Sequence, residues 1–172
     1  TRTAASACSG TAGPFIPKHF MLELADDPAR SFYYAGEPFP VRVSARNAGG
    51  GITANYNKQL ELSEQLVLSA RDDEDKNDNP AGGILSVTSV GADLFSMGQA
   101  VVAPTYAHPG KQAMVPTVLR LRARNAAAVN NQALQAITSA TDAAHEVARP
   151  IIRTGRLRLN NRFGYVRSSL DL

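Results

Sequence analysis

The feature that most constrains this chain is a two-residue period in its best-patterned segments. In Phe39 to Arg46 the apolar set Phe39, Val41, Val43 and Ala45 alternates with Pro40, Arg42, Ser44 and Arg46, as in a strand with one buried and one wet face. Leu119 to Arg124 and Leu157 to Leu159 alternate in the same way, and Leu66 to Leu68 and Ile84 to Thr88 are short apolar runs suited to strands. Turn signals separate them: Ala35-Gly36, Asn47 to Gly51, Asn79 to Gly83, Gly91, Gly98, His108-Pro109-Gly110 and Gly164. Short strands between Gly, Pro and Asn clusters must cover each apolar face with a second layer, so the expected fold is all-β, an antiparallel sandwich. Ala126 to Ala148 is the exception. Its alanines, Leu134 and Gln135 favour helix, whereas Asn130, Asn131, Thr138, Thr141 and the lack of an apolar stripe oppose it, so loop and helix both stay open.

The 172 residues suffice for a hydrophobic core without covalent staples. Hydrophobic residues make up 44% of the chain, yet no run approaches the roughly 20 apolar residues of a bilayer-crossing helix, so no membrane span is expected in this segment. Tryptophan is absent and the net charge is +3, too little to imply nucleic acid. The charge is uneven: residues 1–110 carry 8 Lys+Arg and 12 Asp+Glu, residues 111–172 carry 10 and 3. Cys8 is the single cysteine, either a free thiol or half of a pair completed elsewhere. The chain starts at Thr1 and ends at Leu172 in mid-pattern, which reads as a piece of a longer polypeptide. The expected division is a flexible segment over residues 1–14, a sandwich over 15–149, and over 150–172 the start of a further, truncated β-segment.

The stretch Phe32 to Phe39, running into Val41 to Asn47 and then Gly50 to Tyr56, resembles the Y-x-G-x-P-F-x-V-x-V-x-A-x-N-x-x-G-G-x-T-x-N-Y signature of an uncharacterised domain in MshQ-like proteins, which accompany the mannose-sensitive haemagglutinin type IV pilus. Phe15-Ile16-Pro17-Lys18-His19-Phe20 is similar to that domain's R-F-x-P-x-H-F motif, and Gly155 to Asn161 with Gly164 to its G-R-L-R-L-x-N-x-x-G motif. The resemblance implies immunoglobulin-like strands in a bacterial surface protein, exported through the periplasm to an extracellular or cell-surface, pilus-associated position. Its expected partners are other domains of the same polypeptide and pilus components. The resemblance brings no catalytic residue.

Two constellations could carry chemistry. Asp73, Asp75, Asn77 and Asn79 alternate through an acidic run, and hard oxygen donors at positions 1, 3 and 5 open a calcium loop. Asp78 stands where an EF-hand needs Gly and Ile84 where it needs Glu, which excludes that motif and leaves a looser calcium cage or a solvated hairpin. No other cofactor is expected. Arg120, Arg122 and Arg124 would project from one face of their strand about 7 Å apart, with Arg156 and Arg158 as a second row. Such rows suit a surface glycan or another polyanion, or else face carboxylates on neighbouring strands. His19, His108 and His145 lie outside the short spacings of zinc motifs and could form a zinc site only if the fold gathers them, and no G-x-S-x-G, Walker A or G-x-G-x-x-G sequence occurs. The expected function is non-enzymatic, and the resemblance to MshQ-like proteins implies a structural or adhesive module of a type IV pilus system. A lectin-like module binding carbohydrate or polyanion, with or without calcium, is the alternative.

Overall fold

The computed structural model describes residues 17–74, 76–109, 115–126 and 148–155. The expected segment 1–14 with Cys8, Asp75, His145, Arg156, Arg158, the 157–159 run and nearly all of 126–148 lie outside these residues. Within them the chain is all-β and sandwich-like. Its strands are β1 (His19–Leu24), β2 (Tyr33–Tyr34), β3 (Val41–Arg46), β4 (Leu66–Arg71), β5 (Ile84–Leu85), β6 (Ser89–Val90), β7 (Gln99–Val102), β8 (Tyr106–Ala107), β9 (Thr117–Val118), β10 (Arg120–Asn125) and β11 (Ile151–Arg153).

Two antiparallel sheets, ordered β1-β3-β7 and β10-β4-β6, supply most of the core. In the first, Phe20 pairs with Ala45, Leu22 with Val43, and Val43 in turn with Ala100. In the second, Leu121 pairs with Ala70 and Ala123 with Leu68. All these side chains are buried in one cluster, because every second residue of an extended chain falls on the same face. An edge-on aromatic group, Phe20 with Tyr56 at 5.7 Å and Tyr56 with Phe95 at 5.0 Å, fills one part of the core. Ser44 departs from the alternation. It lies on the outer face yet is fully buried, flanked in register by the longer Met21 and Gln99, and its hydroxyl accepts a 3.1 Å bond from the Gln99 amide.

Residues 148–153 straddle the boundary expected at Pro150. The amides of Leu119 and Leu121 donate to the carbonyls of Pro150 and Ala148 at 3.0 Å each. Beyond them β11 runs antiparallel to β9 and parallel to β2, the one parallel pairing among the described strands. Ile152 is 1% exposed and belongs to the common core. This segment therefore packs into the sandwich that precedes it.

Two local features have energetic consequences. Met97 and Gly98 form a two-residue hairpin turn between Ser96 and Gln99, with φ of 48° and 77°. A turn with both central φ values positive favours Asn-Gly, and a bulky residue there is strained. Met97 is 70% exposed, so its side chain offsets little of that strain. Met97→Asn is expected to stabilise the protein by about 1 kcal/mol, read as a rise in the thermal midpoint.

Tyr56 and Tyr106 are both buried. The Tyr56 hydroxyl accepts from the Glu64 amide at 3.0 Å and the Tyr106 hydroxyl donates to the Pro80 carbonyl at 2.6 Å. Burial pushes each phenol up to about 12. Below the ordinary tyrosine pKa of about 10 both states are protonated and the stabilisation is intact. As pH rises from there towards 12 the unfolded chain ionises first, and stability falls. Denaturant midpoints should drop steeply over that window, and a Tyr56→Phe, Tyr106→Phe double variant should flatten the drop.

Candidate anion-binding groove

The outer face of β4 is the floor of an open groove of about 690 Å³. The register that turns Leu66, Leu68 and Ala70 inward leaves Val67, Ser69 and Arg71 outward, opposite Arg124, Arg122 and Arg120 of β10. Arg122 and Arg124 form one wall. Asp78, Asn79, Ile84 and Thr88 form the other, because the far edge of β4 is shared between two returning pieces of chain. β6 pairs with its start, at Leu66 and Val67, while Asp78 bridges to Arg71 and the Asn79 amide donates to the Ala70 carbonyl at its end.

Of the arginines expected from sequence to form rows, Arg120, Arg122 and Arg124 share the outer face of β10. Arg120 and Arg122 are half-buried and Arg124 is exposed. Arg71, which the sequence reading passed over, belongs to the same face. The signal was present: the alternation of Leu66 to Leu68 continues through Ser69 and Ala70 and puts Arg71 on the wet side. The Arg71 guanidinium donates to Asp78 at 2.8 Å.

The acidic run forms a hairpin loop closed by Asp72, a residue outside the expected ligand set. Its carboxylate accepts from the Lys76 amide at 2.7 Å, the Asn77 amide at 3.0 Å and the Asn77 side chain at 2.6 Å. These bonds, the Lys76 amide foremost, hold the Asp72 carboxyl below its ordinary range. Of the expected calcium ligands, Asp73 is 2.7 Å from the Arg149 guanidinium, Asn77 points its amide at Asp72, and Asn79 lines the groove. Among the described residues no three His, Cys, Asp or Glu side chains gather as a metal-holding group. His19 opens β1, while His108, just past β8, meets the Tyr106 ring edge-on at 5.4 Å.

A second exposed cluster sits on β2 and β11, where the Arg153 guanidinium stacks on Phe32 at 4.4 Å and Phe32 meets the exposed Tyr34 ring edge-on at 5.3 Å. Close by, Arg30 lies over Tyr33 at 4.3 Å and pairs with Asp26 and Glu37. Glu37 also accepts from the Tyr34 amide at 2.9 Å. These contacts brace the turn at Gly36, whose φ is 83°.

Among known proteins, the family model described as DUF6701, third domain, matches residues 1–149, and the chain belongs to that family. No curated protein and no solved structure matches it. The match ends at residue 149, whereas β11 carries the same core on to Arg153.

Because the folded-state pKa of Asp72 is depressed, its hairpin bonds persist above the unfolded carboxylate value of about 3.9 and are lost as pH falls through the lower folded value. Amide-exchange protection of Lys76 and Asn77 should vanish over that acid window. Asp72→Ala should abolish it at neutral pH while leaving exchange in β3 unchanged.

Proposed function

We propose that this DUF6701 third domain is a non-enzymatic module of an MshQ-like bacterial surface protein, exported through the periplasm and serving a type IV pilus system as a structural or adhesive part. The observation that carries this reading is what the signature residues do in the fold. Gly36 makes a positive-φ turn and Glu37 braces it. Phe39, Val41, Val43 and Ala45 are core. Asn47 accepts from the amides of Gly49 and Gly51 at 2.9 and 3.0 Å and so shapes the turn in which Gly50 has a φ of 80°. Thr53 and Tyr56 are buried. The signature residues hold a frame, which suits a module that works through its shape.

A third domain has neighbours, and the surface around the Met97 turn suits contact with one. Ile52 packs beside Gly98, and Ile52, Leu60, Leu94 and Met97 are all exposed. The partners proposed are accordingly other domains of the polypeptide and pilus components. In a bacterium that encodes the full polypeptide, an epitope tag in this domain should be labelled on intact cells and recovered with sheared pili. Labelling only after lysis, or loss from the pilus fraction, would overturn the pilus-associated reading.

A further inference from the structure

We propose that the groove over β4 binds an acidic saccharide, with Arg122 and Arg124 holding its carboxylate or sulfate and Asp78, Asn79 and Ser69 receiving its hydroxyls. The inference goes beyond the module reading and needs nothing from the pilus assignment.

Four observations converge on it. The volume of about 690 Å³ falls within the range of small-ligand sites, roughly 300 to 1,000 Å³. The one carboxylate in its described lining, Asp78, is engaged by Arg71 at 2.8 Å, while Arg124 stands exposed on the opposite wall beside Arg122. The favoured ligand is therefore an anion, and planar guanidiniums match carboxylate and sulfate oxygens in pairs.

The rest of the lining decides the kind of anion. Ser69, Thr88 and Asn79 supply neutral hydroxyl and amide groups, while Val67 and Ile84 supply apolar surface, Ile84 being 59% exposed. A pyranose ring presents that same mixture, with C–H faces for the apolar patch and hydroxyls for the polar rim. A single-stranded nucleic acid would instead call for aromatic platforms, and among the described residues no aromatic side chain lines the groove.

The shape is also held in place. Gly83, just before Ile84, lies flat on the buried Tyr106 ring, so close that a Cβ there would come within 2.2 Å of it. The Tyr106 hydroxyl ties down the Pro80 carbonyl, and the Arg71–Asp78 pair fixes the hairpin beside it. Walls that are fixed before binding lose little entropy when a ligand arrives.

The test titrates the purified chain with trigalacturonate as a carboxylated probe, a heparin-derived hexasaccharide as a sulfated one and maltotriose as a neutral control. Amide shifts and calorimetry are read at two salt concentrations. Shifts are expected at Val67 to Arg71 and Arg122 to Arg124 with the acidic probes alone, and preference between the two probes tells carboxylate from sulfate. Arg124→Gln alters an exposed side chain and should weaken binding about tenfold, one guanidinium contact's worth, with an unchanged melt. Ser69→Leu fills the floor without altering charge and should abolish binding. Binding that survives Ser69→Leu would mean diffuse attraction to a basic face and would overturn the groove. So would equal binding of maltotriose, indifference to Arg124→Gln, or no response to either acidic probe. None of these outcomes bears on whether the module reaches the cell surface.

Discussion

Everything in this structure depends on the antiparallel register that faces Phe20, Leu22, Val41, Val43 and Ala45 of one sheet towards Leu66, Leu68, Ala70, Leu121 and Ala123 of the other. A slip of one residue in either ladder would exchange the two faces completely. In β10 such a slip would bury Arg120, Arg122 and Arg124 at a cost that no pairing within a sandwich core recovers. The arginine row and the core are thus one fact seen from two sides. The sequence pattern that excludes water from Leu121 and Ala123 is what delivers guanidiniums, two residues apart, to the groove.

The strands legible beforehand are those in which local pattern and tertiary burial agree. β3 and β10 alternate cleanly, β4 begins with an apolar run, and the turn at Gly36 and the loop around Asn47 carry residues suited to positive φ or side-chain capping. β1 is harder to read, although Phe20 and Leu22 alternate with Met21 and Glu23, because a Met on the outer face blurs the contrast on which the pattern depends. The two-residue strands β2, β5, β6, β8 and β9 are too short for any period to show, and of these only β5 is marked by an apolar run, the one that begins at Ile84. β11 is legible only as an apolar pair, Ile151-Ile152, because its partners β2 and β9 come from distant parts of the chain.

The groove was half legible for a similar reason. Each wall has its own local signal, the arginines as a row and Asn79 within an acidic run, yet nothing local says that the run folds back along the far edge of β4 to face Arg122 and Arg124. That juxtaposition is set by the Asn79 amide bonding to the Ala70 carbonyl. Asp72 escaped notice because its role is geometric. A carboxylate four and five residues before the amides it accepts from closes a loop by an Asx-type contact, and composition does not distinguish such a residue from its acidic neighbours.

The same hairpin faces two opposite electrostatic demands. A divalent cation would need Asp73 and its neighbours to turn their oxygens towards one point, which asks Asp73 to leave Arg149, 2.7 Å away, and Asn77 to give up donating to Asp72. An anion in the groove asks for neither change. The Arg71–Asp78 pair on its wall and the Asp73–Arg149 pair keep these carboxylates occupied by cations of the protein itself. With Asp73 and Asp78 engaged in this way, these two carboxylates add little repulsion against the negative ligand proposed for the groove, which would meet the exposed Arg124 on the opposite wall. Under the proposal of an anion site, the hairpin that the sequence offers as a calcium loop would brace one wall of the groove.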